Sequence, residues 1–318
     1  MEGNKGARKY LKGGDIIILT DKYKTFYFRE LPYYKTLNFI KICEDSNWRY
    51  GVNLLESIPL RNYIFHHSRL SFTPLVKIPQ EGRILDLGAG WGSISMILAK
   101  VLPKVEIYAY DLTIEGLKFL NVVKKQEKLY NLKIFCGDIL DVPFDDESFD
   151  LVIAIGVLEW LPESVPERPP HETQIKVLKK IFKILKMGGE LVLGIENRFG
   201  YQFLLGARDH SGERYTSLMP RFIANAYMKM KRKKPYLWYT YSERGYNSLL
   251  KNAGFTDIKI YGAFRDYRLP VLIFSTKLFK RAIGLIPKKT FKRKLIRLLP
   301  SFIARFIIPS YIIVGRKR

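Results

Sequence analysis

The feature that most constrains the fold is an apolar strand that runs into a glycine-rich turn and then into a helix, over residues 84–92. The turn places Gly88, Gly90 and Gly92 two residues apart, with Asp86 two residues before the first glycine. Backbone amides at such a helix start bind anions, but a neighbouring carboxylate would repel a pyrophosphate. A ligand that carries an ammonium or sulfonium group tolerates that carboxylate. The turn therefore argues against a dinucleotide.

Strands and helices alternate after this turn. The predicted strands span 83–87, 105–110, 132–136, 149–155, 190–195, 257–262 and 310–315, and the predicted helices span 91–101, 113–128, 171–186 and 242–252. Thr113 and Ser242 are expected to cap the helices that follow them, and Gly188 and Gly189 to end the helix before them. The alternation predicts an α/β fold with a mostly parallel sheet covered by helices.

Three zones are expected along the chain. Residues 1–80 form an aromatic-rich α+β cover, with Tyr23, Phe26, Tyr27 and Phe28 in its first part. Residues 81–265 form the central domain, in which 197–240 is too long for an ordinary connection and is interpreted as an inserted lid. Residues 266–318 form a basic amphipathic segment followed by the terminal strand.

Carboxylates also follow the next two strands, at Asp111 and Asp138. Asp111 lies 19 residues beyond Gly92, where a carboxylate can accept both hydroxyls of a ribose. Each carboxylate alone has a structural explanation: Asp86 could bond turn amides, Asp111 could cap a helix and Asp138 could stabilise its own turn. Three of them at the carboxyl ends of successive parallel strands indicate a ligand crevice instead.

With these motifs the chain resembles class I S-adenosylmethionine-dependent methyltransferases, over about residues 80–265 plus the terminal strand. The segments 149–160 and 185–191 are similar to later motifs of that family. The resemblance implies a Rossmann-like, seven-stranded sheet and S-adenosyl-L-methionine as the cofactor. It also implies a set of cofactor-binding residues: Asp86, Gly88, Ala89, Gly90, Gly92, Asp111, Leu112, Asp138, Ile139 and Ile155.

The segment after the fourth strand restricts the classes of molecule that could accept the methyl group. Methyltransferases of DNA bases and of protein glutamine usually carry Asn or Asp, two prolines and an aromatic residue there, whereas this chain has Gly-Val-Leu-Glu-Trp over 156–160. Many methyltransferases of small molecules, lipids and sugars have His where Trp160 stands. The blocks 194–200, 206–212 and 215–220 resemble methyltransferases encoded with surface-polysaccharide pathways.

Four polar residues are the catalytic candidates. Glu196 and Asn197 leave the fifth strand, and Asp209 and His210 lie in the expected lid. Methyl transfer mainly requires alignment of the acceptor with the methyl group, plus a base when the acceptor is a hydroxyl. His210 suits a base at neutral pH, and the alternative is that it pairs with Asp209 to order the lid. No metal site is predicted.

Charge raises the question of a polyanionic partner. The net charge is +24, and fourteen Lys or Arg but no acidic residue follow Asp266. Apolar residues recur on one helical face at 291, 295, 298, 299, 302, 303, 306 and 307. This face either packs on the sheet or makes an anionic membrane surface the partner of 277–308. Nucleic acid is the rival partner, through the basic run 229–234 and the aromatic residues after it.

The chain shows no secretion signal and no apolar run long enough to span a bilayer, and Cys43 and Cys136 form no cluster. A cytoplasmic protein, peripheral on the inner membrane face, is expected. The predicted function is methyl transfer to a small-molecule, sugar or lipid-linked glycan acceptor. The alternatives are an RNA methyltransferase and a non-catalytic, membrane-associated partner protein with this fold.

Overall fold

The computed structural model describes residues 9–10, 15–20, 31–285 and 298–318. The chain divides into two compact units. The first unit comprises Met1–Leu70 and Ile78–Ile153, and the second comprises Ser71–Lys77 and Ala154–Arg318. The aromatic residues Tyr23, Phe26, Tyr27 and Phe28 lie outside the described residues, as does the amphipathic pattern at Phe291, Arg293, Lys294, Leu295 and Arg297.

The first unit contains a mostly parallel sheet. Its strands are β1 (Lys9–Tyr10), β2 (Ile16–Ile18), β3 (Gly82–Leu87), β4 (Val105–Asp111), β5 (Leu132–Cys136) and β6 (Phe149–Ile155), whose last two residues belong to the second unit. The strand order is β1-β2-β5-β4-β3-β6. Only β1 is antiparallel to its neighbour among these described strands.

Five helices belong to the same unit: α1 (Tyr33–Asp45), α2 (Trp48–Asn53), α3 (Ile58–Phe65), α4 (Ser93–Val101) and α5 (Ile114–Gln126). The inner strands are apolar along almost their whole length because both of their faces are buried. Trp48 fixes α2 against α5, since its indole Nε1 donates to Glu127 Oε1 at 2.8 Å.

The second unit contains an antiparallel sheet in the order β7-β10-β8-β9. Its strands are β7 (Leu185–Glu196), β8 (Thr256–Phe264), β9 (Leu272–Ser275) and β10 (Ser310–Arg316). Its helices are α6 (Pro170–Ile184), α7 (Tyr201–Leu204), α8 (Arg221–Arg232), α9 (Glu243–Asn252), α10 (Phe279–Gly284) and α11 (Ser301–Phe306).

All seven expected strands are present, as β3 to β8 and β10, but the count of seven is too low. The described residues contain three further strands, β1, β2 and β9. Local sequence gave no signal for them, because β1 and β9 have only two and four residues and β2 only three.

Thr113 stands at the predicted start of α5, but its side chain makes no capping hydrogen bond, and one predicted helix boundary is wrong. Gly188 and Gly189 do not end a helix, because α6 stops at Ile184 and both glycines lie within β7. The cap at Ser242 is confirmed, since its hydroxyl accepts from the Gly245 amide at 3.3 Å.

The two long segments that interrupt the strand–helix alternation contain helices. Residues 197–240 contain α7 and α8, and the described residues between β8 and β10 contain β9, α10 and α11. Among the described residues, none of the helices has the length and apolar character needed to cross a bilayer.

Candidate active site

The glycine turn of the first unit has the backbone geometry that only glycine adopts easily. Gly88, Gly90 and Gly92 have φ values of +79°, +56° and +74°. A Cβ on Gly92 would lie 2.3 Å from Leu120 Cδ1, so the turn packs directly on α5. The Gly88 amide donates to the Tyr110 carbonyl at 2.8 Å, which ties the turn to β4.

Asp86 is buried at the carboxyl end of β3, with 2% of its surface exposed. The Ser95 hydroxyl donates to its Oδ2 at 2.5 Å. Burial raises the pKa of Asp86 to about 6, although the Ser95 bond and the charge of Arg69 act in the opposite direction. A further positive charge would therefore stabilise the ionised form of Asp86.

Asp111 ends β4 and binds the turn. Its Oδ2 accepts from the Gly90 amide at 2.9 Å and its Oδ1 from the Thr113 amide at 2.7 Å. Burial raises the pKa of Asp111, and these backbone bonds oppose that shift. Leu112, which follows it, is half-buried. Asp111 therefore bonds the glycine turn, a role that the sequence had suggested for Asp86, and its carboxylate is half-buried beside that turn.

Asp138 begins a short 3₁₀ turn after β5, where its Oδ1 accepts from the Leu140 amide at 2.9 Å. The Tyr110 hydroxyl donates to the Asp138 carbonyl at 3.0 Å, which links the ends of β4 and β5. The structure thus groups the glycine turn, Asp86, Asp111 and Asp138 at the carboxyl ends of neighbouring strands of one unit. Ala89 and Ile139 are buried there, whereas Ile155 is buried in the second unit.

A second cluster lies entirely within the second unit. The His210 Nε2 is hydrogen bonded to the Glu196 carboxylate and lies 3.7 Å from Glu159 Oε1. Glu159 is 0% exposed, and its Oε2 is buried with no hydrogen-bond partner among the described residues. The three groups form a compact acid–imidazole–acid cluster, with one ligand atom from each within 4.8 Å of the others. These ligand types at this spacing would also fit a divalent metal ion.

The charged groups in this cluster change one another's pKa values. Burial raises the pKa of Glu159 to about 7, and the Glu196 charge adds to this effect while His210 opposes it. Burial by itself lowers the pKa of His210, but the Glu196 charge and hydrogen bond, with the Glu159 charge, outweigh it and raise the pKa. The cluster therefore holds a proton near neutral pH.

Neighbouring side chains position the cluster. The Tyr267 hydroxyl donates to Glu159 Oε1 at 3.0 Å, and the Trp160 ring lies edge-on to the His210 ring with centroids 4.4 Å apart. Tyr267 fits beside two glycines: a Cβ on Gly156 or Gly194 would approach its ring to 3.1 or 3.2 Å. These contacts restrict the orientation of Glu159 and of the imidazole.

Asn197 makes structural hydrogen bonds. Its Nδ2 donates to the carbonyls of Phe306 and Ile308 at 2.8 and 2.7 Å, and its Oδ1 accepts from the Phe199 amide at 3.1 Å. The residue is 0% exposed. Its side chain ties the end of β7 to the segment before β10 and leaves no group for proton transfer.

Asp209 does not pair with His210. Its Oδ1 accepts from the Ser211 amide and hydroxyl, and its Oδ2 accepts from the hydroxyls of Thr216 and Tyr236 at 2.7 and 2.9 Å. Asp209 thus orders its own loop, while His210 bonds to the strand end at Glu196. The expected alternative, in which Asp209 and His210 pair, is wrong.

Sequence reasoning missed Glu159 and Tyr267 as members of the cluster. Glu159 follows the carboxyl end of β6, and that position is the signal that could have selected it. Tyr267 had no comparable signal, because it reaches Glu159 across 108 residues of chain.

Comparison with known protein families finds a match that contains residues of both clusters. Residues 78–229 match the model of a family described as a methyltransferase domain. The matched segment covers just under half of the chain. This match includes the glycine turn, Asp111 and Asp138 as well as Glu159, Glu196 and His210.

Curated relatives of this methyltransferase domain match over part of their length. A malonyl-[acyl-carrier protein] O-methyltransferase of Priestia megaterium is 28% identical over 135 residues, which cover 42% of this chain and 44% of that protein. A demethylmenaquinone methyltransferase of Geobacillus sp. is 27% identical over 193 residues, covering 57% of this chain and 74% of that protein. The chain thus spans less than half of the first of these two relatives.

The methyltransferase fold is also found in a solved structure, the phosphoethanolamine N-methyltransferase 2 of Haemonchus contortus in complex with phosphomonomethylethanolamine and S-adenosylhomocysteine. The TM-score is 0.50 at 16% identity, over 88% of this chain and 60% of that one. This is a likeness of fold. S-adenosylmethionine is the cofactor of this class of domain.

The residues of the first unit fit that cofactor. The cofactor carries an ammonium and a sulfonium, and Asp86 is a buried carboxylate whose raised pKa would be lowered by a cation. Gly88 and Gly90 have no side chain to separate the backbone of the turn from a ligand. Asp111, as a half-buried carboxylate after β4, has the chemistry to accept ribose hydroxyls.

Proposed function

We propose that the chain transfers the methyl group of S-adenosylmethionine to a hydroxyl of a small-molecule acceptor, with His210 as the general base. The observation that carries this proposal is the hydrogen bond between His210 and Glu196 beside the buried Glu159 carboxylate. S-adenosylmethionine supplies a methyl group already activated on a sulfonium. The residues of this chain then need only hold the acceptor and remove its proton.

The cofactor would be held by the first unit. We assign Asp86 to the ammonium group by charge, the backbone of Gly88, Ala89, Gly90 and Gly92 to the methionine part, and Asp111 to the ribose hydroxyls. Leu112, Asp138 and Ile139 are assigned to the adenosine part.

The proton would leave through His210. In the neutral imidazole the Nε2 proton faces Glu196, so Nδ1 carries the lone pair that accepts the hydroxyl proton. With the cofactor bound, the acceptor oxygen would take the methyl group from the sulfonium, and His210 would take the proton of that oxygen. The carboxylates of Glu196 and Glu159 then stabilise the imidazolium.

An oxygen acceptor agrees with two observations. The segment 156–160 lacks the prolines that usually accompany transfer to base or amide nitrogen. One of the relatives is named as an O-methyltransferase. Within oxygen acceptors, we favour a sugar or a lipid-linked glycan, on the resemblance of the blocks between 194 and 220.

Association with the membrane through 277–308 is supported by exposed apolar side chains in its described part. Leu285, Leu298, Phe302 and Phe306 are between 50% and 81% exposed, and no acidic residue lies in this segment. A soluble surface rarely collects so many large apolar groups. We therefore propose that the enzyme is a peripheral protein of the inner membrane face.

The RNA alternative loses two of its four aromatic residues. Tyr236 and Trp238 are only 2% and 8% exposed, because they form the core against which α8 packs. Buried rings cannot stack on bases. The basic run 229–234 could still contact phosphates, with Tyr239 and Tyr241 half-buried after it.

The test begins with calorimetric titration of the full chain with S-adenosylmethionine and S-adenosylhomocysteine. Tritiated methyl transfer into separate glycan, lipid and RNA extracts of bacterial cells then identifies the acceptor class. We expect saturable binding and label in the glycan or lipid extract. A folded chain that binds no cofactor at millimolar concentration would favour the non-catalytic partner protein, and label in RNA would favour the RNA methyltransferase.

Variants separate the base from the cofactor site. His210→Gln is expected to abolish transfer and to leave cofactor affinity unchanged. His67→Gln is the matched control, because His67 is exposed in the first unit. Transfer that persists in EDTA would support proton removal by the side chains rather than by a metal-bound water. Full transfer by the His210→Gln variant would refute the proposed base.

A further inference from the structure

Helix α8 is apolar on the side that faces the protein. Ala224 and Met228 are buried and pack on a cluster formed by Tyr236, Leu237 and Trp238. This contact accounts for the attachment of the helix to the second unit.

The opposite side of α8 is apolar as well, although it faces solvent. Phe222, Ile223 and Met230 are 75%, 43% and 72% exposed, and Ala226 between them is exposed. Residues 222, 226 and 230 are spaced by four and therefore form one stripe along the helix surface. We name Phe222, Ile223, Ala226 and Met230 the outer stripe.

Positive charge surrounds the outer stripe at its carboxyl-terminal end. The run 229–234 contains six residues, of which five are Lys or Arg. Lys231 and Arg232 each lie 2.6 Å from a Glu213 oxygen, so these two charges are compensated. Lys229, Lys233 and Lys234 are exposed and have no ion pair within the described part of the chain.

The combination selects one kind of partner. α8 carries no acidic residue, so the stripe and its flanking lysines together present apolar surface beside uncompensated positive charge. Helices with this pattern lie in the plane of a membrane interface, with the apolar side chains below the headgroups and the lysines at the phosphates. Each such lysine near an anionic surface strengthens the binding. An RNA ligand would engage the lysines but would leave Phe222 and Met230 in water.

We propose that the outer stripe of α8 inserts into the interface of an anionic lipid bilayer. This surface is separate in sequence from the segment 277–308, and the inference does not depend on methyl transfer. Phe222, Ile223 and Met230 supply the apolar contact, and Lys229, Lys233 and Lys234 supply the preference for anionic lipid.

A fluorescent label on α8 tests the insertion directly. Both cysteines of the chain, Cys43 and Cys136, are buried, so an Ala226→Cys variant can be labelled selectively with NBD. The full chain is mixed with phosphatidylcholine vesicles, with and without phosphatidylglycerol. We expect the NBD emission to shift to the blue and to gain intensity only with phosphatidylglycerol. Binding of the protein with no change in NBD emission would overturn the proposal, because the contact would then lie elsewhere.

Vesicle co-sedimentation gives the energetic test. Phe222→Ser with Met230→Ser is expected to reduce partitioning by about tenfold or more, since two apolar side chains no longer enter the interface. Lys229→Gln, Lys233→Gln and Lys234→Gln together should remove the preference for phosphatidylglycerol and the salt sensitivity of binding. Leu54→Ser with Met187→Ser is the control, because both residues are exposed apolar groups on other elements.

Equal partitioning of the Phe222/Met230 variant and the control would overturn the proposal. So would NBD quenching by RNA or by another protein with no response to vesicles.

Discussion

Asp209 and His210 are adjacent in the chain, but their side chains bond to different partners. Asp209 accepts hydrogen bonds from Ser211, Thr216 and Tyr236, whereas His210 bonds to Glu196 at the end of β7. The loop is therefore ordered by one residue and leaves the next available for proton transfer. This separation of roles underlies the first prediction.

The pKa of His210 should lie above 6.5 in the folded protein, because the Glu196 and Glu159 charges outweigh the effect of burial. Glu196→Gln removes one charge and one hydrogen bond that raise the pKa of His210, so it is expected to lower that pKa. The measurement is NMR titration of the imidazole protons, which four histidines make tractable. Glu172→Gln, at an exposed position of α6, should leave the titration unchanged. A His210 that titrates at the same pH in both variants would contradict the coupling.

The stability of the protein should fall as pH rises between about 4.5 and 7. Burial raises the pKa of Glu159 to about 7, so the folded chain holds this proton where the unfolded chain has released it. Protonation thus favours the folded state, and the benefit is lost as pH rises through this window, by about 3 kcal/mol at most. Urea unfolding at several pH values measures it. Glu159→Gln should reduce the dependence and leave the part that the raised pKa of Asp86 contributes, whereas a variant as pH-sensitive as the parent would show that Glu159 does not cause it.

Asp111→Ala should weaken binding of S-adenosylmethionine and S-adenosylhomocysteine alike. We expect a loss of about 10- to 100-fold, from charge-assisted hydrogen bonds worth about 1.5–3 kcal/mol. Calorimetry gives the affinity, and thermal melting checks the fold. Asp150→Ala is the control, since its carboxylate also accepts from a backbone amide, that of Arg83 at 2.8 Å, but at the amino end of β3. Unchanged affinity in the Asp111 variant would refute the assignment to ribose.

Gly92→Ala should destabilise the protein more than a positive φ alone explains. At Gly188, with φ of +78° and no atom within 4 Å of an added Cβ, an alanine should cost about 1 kcal/mol. At Gly92 the added methyl also meets Leu120, which is fully buried, and the total should reach about 3 kcal/mol. Urea unfolding compares the two variants. Equal losses would mean that Leu120 moves aside freely.

The sequence was informative where structure depends on neighbouring residues. The strands at 132–136 and 149–155 were predicted to the residue, because each is a local apolar run. The glycine turn likewise indicated where Asp86 and Asp111 lie, because its turn residues are close together in the chain. The sequence-based prediction failed where contacts with a residue far away in the chain determine the local structure. Gly188 and Gly189 resemble a helix stop, yet β10 extends its pairing over them, with the Gly188 amide donating to the Lys317 carbonyl at 2.9 Å.

The same limit applies to the candidate site. The residue types at 196 and 210 indicated acid–base chemistry, but their partnership with Glu159 and Tyr267 arises only when separate loops meet. Asn197 also had the position of a functional residue, and its actual partners are carbonyls more than one hundred residues later. The spacing of residues along the chain does not predict which distant residues will pair.

The place of β10 in the second unit has a consequence for biosynthesis. β10 lies between β7 and β8, and it is synthesised after both of them. While a ribosome still holds residues 310–316, β7 and β8 each lack the neighbour that completes their hydrogen bonds, and their edges are open to wrong pairing. The first unit has all its strands by residue 153 and can fold during translation. The second can close its sheet only after the strand at 310–316 has left the exit tunnel, so a nascent chain paused before that point would need protection from aggregation.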